Sequence, residues 1–174
     1  MTSGFDPIVF ENPRYLILGS LPSVKSLDKT EYYGHPQNRF WKVLSMIYDE
    51  KIDSYSDKKV ILKTHHIALW DVIKEAERVG SSDLKISNPI LNDIAGLITK
   101  YPSIETILCT GTLAYSLCIK YFSMLDVEIV KLPSPSPANA SYSLDKLVEI
   151  YSEYLKWEIT SFILIKKLPV GSLS

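Results

Sequence analysis

Residues 16–41 read LILGSLPSVKSLDKTEYYGHPQNRFW, and this stretch decides how the chain is expected to fold. Its apolar start, which continues from Tyr15, predicts a buried strand that stops abruptly at Gly19 and Pro22. The polar residues that follow include two tyrosines, a histidine, an asparagine and an arginine, none of which is needed to close a core. Because α/β proteins bind ligands at the carboxyl ends of buried strands, we expect the active site here.

The rest of the chain alternates predicted strands and helices. Strands are predicted at residues 14–18, from 67 onward, at 104–109 and at 127–130, and helices at 38–47, 113–121 and 143–157. This order predicts a three-layer α/β/α sandwich with a central, mainly parallel four-stranded sheet. The carboxyl ends of parallel strands share one edge, so the loops after them are expected to form one cleft.

Three further segments have weaker patterns. Residues 58–63 are interpreted as the end of a helix or a linker, and residues 67–73 as a strand that continues into a helix. Asn88 and Pro89 are expected to introduce a helix with Ile90 and Ile94 on its apolar face. With no internal repeat or linker, residues 1–158 are predicted to form a single domain. Residues 159–174 are predicted to be an extension that forms an edge strand or is disordered.

The bulk composition is that of an ordinary globular protein. The 174 residues are 46% hydrophobic and 22% charged, and the net charge is −1. Any contact with nucleic acid must therefore come from a local patch. Cys109 and Cys118 have no zinc-type spacing and are predicted to be buried thiols in a reducing compartment. No targeting signal or membrane-spanning run is visible, so we expect a protein of the cytoplasm or of a nucleoid within it.

Each candidate side chain also has a structural interpretation. The turn at residues 19–23 has one glycine, which excludes a phosphate loop, and it could be a simple strand exit. Tyr33 could belong to the core, and Asn38 could cap the following helix. His35 and Arg39 could be surface residues. Together, however, these residues after a strand indicate a site for a planar ring beside an anion.

A second candidate loop lies at residues 132–140, LPSPSPANA. It could be a stiff connection, or a rigid support that offers hydroxyl and N–H groups to a phosphate. His65 and His66 have no further ligands nearby in sequence, so a structural role is favoured over a metal site.

Three segments together resemble the uracil-DNA glycosylase superfamily: GSLPS (19–23), YYGHPQNRFWKV (32–43) and LPSPSPANA (132–140). The segment HPQNRFWKV is similar to that of the mismatch-specific uracil/thymine glycosylases. Together with ALWDVIKEAERVGSSDLKI (68–86) and ILCTGTLA (107–114), the set most resembles the hypoxanthine-DNA glycosylase, or DNA-deoxyinosine glycosylase, branch. The resemblance covers about residues 14–157.

Two positions depart from the uracil enzymes of that superfamily. Leu21 stands where mismatch-type enzymes carry the asparagine that positions the hydrolytic water, and Leu132 stands where a histidine or asparagine stabilises the leaving base. The hypoxanthine branch shows both losses, and there the asparagine of the HPxN segment is implicated in catalysis. That asparagine matches Asn38.

The resemblance therefore implies an enzyme of DNA base-excision repair that flips out a deaminated base, hypoxanthine by preference, and hydrolyses its N-glycosidic bond. Asn38 is the implied catalytic residue. The implied base-binding residues are Tyr33, Ser20, Leu21 and His35, and the implied DNA-binding residues are Ser23, Arg39, Ser134, Ser136 and Asn139. Tyr33 is expected to stack on the base.

We expect no metal and no cofactor, a monomer, and DNA containing deaminated bases as the partner. No lysine is expected in the pocket, so the enzyme is predicted to be monofunctional, without β-elimination of the abasic strand. The alternatives are a mismatch-type uracil glycosylase, a non-catalytic nucleic-acid-binding module on the same fold and, with less support, a hydrolase of free nucleosides.

Overall fold

The computed structural model describes residues 1–155 and shows an alternation of strands and helices. The strands are β1 (Thr2–Ser3), β2 (Tyr15–Gly19), β3 (Ile67–Asp71), β4 (Ile73–Glu77), β5 (Ser87–Leu91), β6 (Thr106–Thr110) and β7 (Glu128–Leu132). The helices are α1 (Val24–Lys29), α2 (Phe40–Tyr48), α3 (Tyr55–Thr64), α4 (Ile94–Lys100), α5 (Thr112–Phe122) and α6 (Leu144–Leu155), with a 3₁₀ turn at Asp83–Lys85.

The main sheet has four strands in the order β3-β2-β6-β7. All its pairs are parallel: Ile17 of β2 lies opposite Leu69 of β3 and Leu108 of β6, and Leu108 lies opposite Val130 of β7. The predicted central sheet is therefore confirmed, and it is fully parallel. Its strands all point their carboxyl ends at one edge.

Alternate residues of the sheet enter two different cores, as a strand buried on both faces requires. Ile17 and Leu69 pack with apolar residues of α2, α3 and α6 on one face. Leu16 and Cys109 pack with residues of α4 and α5 on the other face. The sandwich thus has three layers, as predicted, and each fully buried Leu or Ile side chain contributes about 1.5–3 kcal/mol of hydrophobic stabilisation.

The prediction of a helix after residue 70 is wrong. The chain bends at Val72, whose N–H donates to Gly19 O (2.9 Å), and then continues as strand β4. Strand β4 pairs with β1 and β5 in a separate three-stranded antiparallel sheet that the sequence analysis did not predict. Ile73 and Ala76 of β4 are buried against Leu21. The apolar side chains of this run are therefore removed from solvent by a strand, and a helix is not required to bury them.

The helix predicted to start after Pro89 also begins later than expected. Residues 87–91 form β5, and α4 starts at Ile94, where Asp93 caps it by accepting the N–H of Gly96 (2.9 Å). Residues 58–63 belong to a complete helix, α3, whose first turn is closed by a capping box between Ser54 and Asp57.

Both cysteines are buried and free, as predicted. Within residues 1–155 no helix is long and apolar enough to cross a bilayer. The prediction for residues 159–174 concerns a segment outside the described residues, as does the predicted end of the last helix at residue 157.

Candidate active site

A cavity of about 1030 Å³ opens at the carboxyl ends of β2, β3, β6 and β7. It lies between the turn after β2, the loop that leads into α2 and the Pro-rich loop after β7. All predicted site residues except Arg39 line it: Ser20, Leu21, Ser23, Tyr33, His35, Asn38, Ser134, Ser136 and Asn139. The structure therefore brings together side chains that are about 100 residues apart in the chain.

Tyr33 is held at one face of its ring and at its hydroxyl group. Its ring stacks on Phe40 with centroids 3.9 Å apart and an angle of 21° between the planes. Since the Thr110 hydroxyl donates to Leu18 O (3.3 Å), the Tyr33 hydroxyl is the donor in its bond to Thr110 Oγ1 (3.1 Å). Phe40 covers one face of the Tyr33 ring, and Tyr33 also lines the cavity, where a planar base can stack on it.

The backbone at Tyr33 adopts φ 51°, in the left-handed region that non-glycine residues rarely occupy. Burial raises the pKa of Tyr33, and the nearby carboxyl group of Asp71 adds to this effect. The phenol is therefore neutral across the physiological range. A strained, neutral and doubly anchored ring on a cavity wall is a preorganised platform for an aromatic ligand.

Asn38 caps helix α2 from one residue outside the formal N-cap position, which is Arg39. Its Oδ1 accepts the N–H of Phe40 (2.9 Å), and its own N–H donates to His35 O (2.9 Å). Because only the amide oxygen can accept this N–H, the bond fixes which way the side-chain amide points. The expectation that Asn38 is a cap is thus correct in substance, although the helix starts at Phe40.

His35 and Ser23 take part in local bonds as well as lining the cavity. His35 Nδ1 accepts the N–H of Gln37 (3.0 Å), which leaves Nε2 as the ring nitrogen that can donate. Ser23 is the N-cap of α1 and accepts the N–H of Ser26 (3.1 Å). Both side chains are therefore oriented before any ligand arrives.

The two leucines that depart from the uracil enzymes are buried. Leu21 is 7% exposed and packs with Ile73 and Ala76 under the first turn, whereas Leu132 is fully buried in the core at the end of β7. Neither side chain can orient a water molecule or bind a carbonyl oxygen. Polar groups for these tasks must come from other residues.

Arg39 differs from the other predicted site residues because it does not line the cavity. Its guanidinium group donates to the backbone carbonyls of Pro135 (3.4 Å), Ser136 (3.0 Å) and Asn139 (3.0 Å), and to that of Tyr142. Its observed role is to hold the Pro-rich loop against α2. Asn139 Nδ2 closes the same loop from within by donating to Ser134 O (3.0 Å).

Asp71, which was not among the predicted site residues, lines the cavity at the end of β3. Burial, followed by the neighbouring carboxyl group of Asp83, raises the pKa of Asp71 to about 7 against the opposing charge of Arg78. Asp83 accepts a hydrogen bond from Ser20 Oγ (2.7 Å), which joins the β4–β5 loop to the turn after β2. A carboxylate directly after a buried strand was the available signal, but it lies within an apolar run.

The expectation that no lysine lies in the pocket is wrong. Lys25 and Lys131 both belong to the cavity lining, and both are exposed. Their ammonium groups provide the local positive charge that a chain of net charge −1 needs in order to hold a polyanion. A lysine that acts as a Schiff-base nucleophile is normally desolvated, which these are not.

Among the described residues, no group of three or more His, Cys, Asp or Glu side chains could hold a metal ion. The two adjacent histidines have separate partners: His65 Nε2 contacts Glu50 Oε1 (2.6 Å), and His66 Nδ1 contacts Asn12 O (3.1 Å). These contacts agree with the structural role expected for the pair.

Comparison with known proteins decides the family. The family model of the uracil DNA glycosylase superfamily matches residues 7–157. The chain belongs to the uracil DNA glycosylase superfamily. Within that superfamily, it is 38% identical over 148 residues to a hypoxanthine DNA glycosylase of Methanosarcina acetivorans, an alignment that covers 82% of this chain and 91% of the relative. A hypoxanthine DNA glycosylase of Methanosarcina barkeri is 41% identical over 110 residues, which cover 62% of this chain and 70% of the relative.

A solved structure agrees with this membership. The solution NMR structure of a Methanosarcina acetivorans protein assigned as a uracil DNA glycosylase superposes with a TM-score of 0.76 at 35% identity. The match covers 89% of this chain and 96% of the other. The four-stranded parallel sheet and its helices are therefore those of a uracil DNA glycosylase fold.

Proposed function

We propose that the protein is a monofunctional DNA glycosylase that removes hypoxanthine from DNA. The observation that carries this proposal is the pair of Tyr33 and Asn38, which both line the cavity and are both fixed by Phe40. This pair provides a stacking surface and an oriented amide next to each other. The names of the Methanosarcina relatives support the choice of hypoxanthine as the substrate base.

The cavity supports a sequence of physical steps. A nucleotide must leave the duplex, which costs a few kcal/mol and less when the base is mispaired. Its base then stacks on Tyr33, a contact of about 1–3 kcal/mol for a base on an aromatic ring. The side chains of Ser23, Ser134 and Ser136 lie around the same opening and can hold the flanking phosphates.

Hydrolysis passes through a sugar with oxocarbenium-like positive charge. Asn38 is an amide and cannot remove a proton at neutral pH, so its role is to orient the attacking water by hydrogen bonds. The phosphates held by the serines and by Lys25 and Lys131 offset the charge of the sugar. In this mechanism, fixed placement of DNA and water replaces a strong general base.

The proposal that the enzyme is monofunctional rests on the exposure of the two lining lysines. The experiment incubates the protein with duplexes that contain one deoxyinosine, deoxyuridine or deoxyxanthosine and measures free base and strand breaks separately. We expect hypoxanthine release and intact strands until alkali is added. Strand cleavage without alkali, or a borohydride-trapped complex that Lys25→Ala or Lys131→Ala abolishes, would disprove the monofunctional mechanism.

A further inference from the structure

The most exposed large apolar residue among residues 1–155 is Leu84, in the loop between β4 and β5 (residues 78–86, the hairpin loop). The residue is 94% exposed, and it nevertheless lines the cavity. A lining residue with so much exposed surface lies where the cavity opens to solvent. Of the exposed large apolar residues in the described part of the chain, only Val24 also lines the cavity. Isolated exposed apolar residues are common on proteins, so the position of Leu84 at this opening is what calls for an explanation.

The hairpin loop is fastened to the elements that carry the site. Ser20 Oγ donates to Asp83 Oδ1 (2.7 Å), and the N–H of Val24 donates to Ser81 Oγ (2.9 Å). Arg78, the first residue of the loop, donates to backbone carbonyls of the turn after β2. These bonds fix the loop against that turn and against the start of α1.

The backbone at Leu84 is itself held in the 3₁₀ turn. Its N–H donates to Ser82 Oγ (3.3 Å), and the N–H of Lys85 donates to Ser82 O (3.0 Å). A side chain presented from a backbone that is already ordered can meet a partner with little further loss of conformational entropy. Leu84 is therefore a preorganised apolar contact at the opening of the cavity.

Exposed lysines accompany the apolar residues at this opening. Lys85 follows Leu84 in the chain, and both are exposed. Lys25 follows Val24 on α1, is exposed and lines the cavity as well. Apolar side chains with cations next to them match a partner that has anionic phosphates outside and apolar base faces inside. Duplex DNA has both features.

We propose that Leu84 enters the base stack of duplex DNA and fills the space that the flipped nucleotide leaves. This inference rests on the proposed function and goes beyond it by naming duplex DNA as the form of the substrate. A nucleotide that leaves the duplex deprives its neighbours of stacking, which favours its return. An apolar side chain between the neighbouring base pairs contacts their faces and hinders that return. The exposed surface of Leu84 is buried in this state, so the hydrophobic effect favours the insertion.

The Pro-rich loop after β7 has no comparable side chain within residues 132–140. Its exposed residues in the cavity lining are Pro137 and Ala138, whose side chains are shorter than that of leucine. Arg39 holds several carbonyls of this loop against α2. The apolar side chain that extends furthest into solvent at the cavity therefore lies on the loop after β4.

The first experiment compares Leu84→Ala with Val79→Ala in single-turnover release of hypoxanthine from a duplex and from the single strand of the same sequence. Leu84→Ala should lose about 10-fold to 100-fold in rate on the duplex, which corresponds to the burial of one leucine side chain. It should keep the wild-type rate on the single strand, where no paired stack has to be held open. Val79 is 87% exposed on the same loop and does not line the cavity, so its variant should match the wild type on both substrates. Both variants should keep the wild-type thermal midpoint, because both side chains are exposed.

A second experiment reports on the base stack without turnover. The duplex carries 2-aminopurine, which fluoresces when unstacked, next to deoxyinosine, and every protein also carries Asn38→Ala. At saturating protein, the fluorescence should rise with Leu84 present and with Val79→Ala, since an aliphatic side chain does not quench 2-aminopurine as a stacked base does. Leu84→Ala and the polar Leu84→Gln should give a smaller rise, and the apolar Leu84→Phe should restore it. This measurement decides the role of Leu84 even if the single strand is not a substrate.

The outcomes separate the two proposals. If the wild-type protein releases no base from either DNA, the proposed function fails, and the fluorescence measurement still decides the role of Leu84. If it releases hypoxanthine and Leu84→Ala is as fast on the duplex as Val79→Ala, only the role of Leu84 fails. An equal loss on duplex and single strand would also overturn that role, because the side chain would then act on the bound nucleotide and not on the stack. Dissociation of a wild-type dimer by Leu84→Ala in sedimentation would instead assign the side chain to a contact between two copies of the chain.

Discussion

Gly19 faces Asp71 so closely that a Cβ atom on the glycine would lie 2.6 Å from Asp71 Oδ1. Real Cβ atoms do not approach a neighbour to that distance, so Gly19→Ala must displace the carboxyl group or the turn after β2. We expect a loss of about 1–3 kcal/mol in the free energy of unfolding, typical of overpacking, and a large loss of base release. Urea unfolding and single-turnover kinetics measure the two effects.

Gly4→Ala is the matched control for this substitution. A Cβ at Gly4 would lie 3.4 Å or more from its neighbours, which is an ordinary contact distance. This variant should keep both stability and activity. A Gly19→Ala protein with wild-type turnover would show that the space between Gly19 and Asp71 is not used by the substrate.

Asn38→Ala separates catalysis from folding when it is compared with Asn38→Asp. The alanine variant loses the acceptor for the Phe40 N–H, which costs about 1 kcal/mol as for other helix caps, and loses the oriented amide. We expect its turnover to fall about 10²-fold or more while DNA binding persists. Asn38→Asp keeps an oxygen for the cap and for the water, so it should retain wild-type stability and measurable turnover. Full activity of Asn38→Ala would remove this residue from the mechanism.

Tyr33→Phe and Tyr33→Ala test whether the ring or the hydroxyl group matters. The phenylalanine variant keeps the stack on Phe40 and loses only the bond to Thr110, so its base release should stay within a few-fold of wild type. The alanine variant loses the stacking surface, worth about 1–3 kcal/mol, and should bind deoxyinosine DNA about 5-fold to 150-fold more weakly. Equal affinity of the two variants in fluorescence anisotropy would place the base elsewhere.

Arg39→Gln tests whether the Pro-rich loop needs its bonds to α2. Loss of the guanidinium group frees several loop carbonyls, so we expect faster amide hydrogen exchange in residues 134–142 and weaker DNA binding. The chemical step on bound DNA should change less than the affinity. Lys42→Gln, an exposed neighbour on the same helix, is the control. Exchange in the loop that does not differ between the two variants would contradict this positioning role.

Much of the site could be predicted because its polar residues are clustered in a few loops that follow predicted strands. Tyr33 and Asn38 follow a buried strand in a loop that needs neither of them for its core, and the main-sheet strands are apolar because both their faces are covered. The β4 strand could not be predicted in the same way, since a short apolar run after β3 suits a helix or a strand equally.

Other features depend on contacts between distant parts of the chain. Nothing in the local sequence indicates that Arg39 donates hydrogen bonds to loop carbonyls about 100 residues away. The same holds for Lys131, which the parallel sheet brings to the same cavity as Lys25. Asp71 could not be predicted for a different reason. The raised pKa of its carboxyl group and the lack of a hydrogen-bond partner for its Oδ2 among the described residues depend on burial, which the residue type does not reveal.

The central claim is that this cavity hydrolyses the glycosidic bond of a deaminated base and does not merely bind it. The most direct measurement quantifies free hypoxanthine by mass spectrometry after single-turnover incubation with a duplex that carries deoxyinosine opposite thymine. We expect stoichiometric release by the wild-type protein and very slow release by Asn38→Ala, with both proteins binding the duplex. Tight binding of the duplex by the wild-type protein without any free hypoxanthine would contradict it and would show a nucleic-acid-binding module on a glycosylase fold.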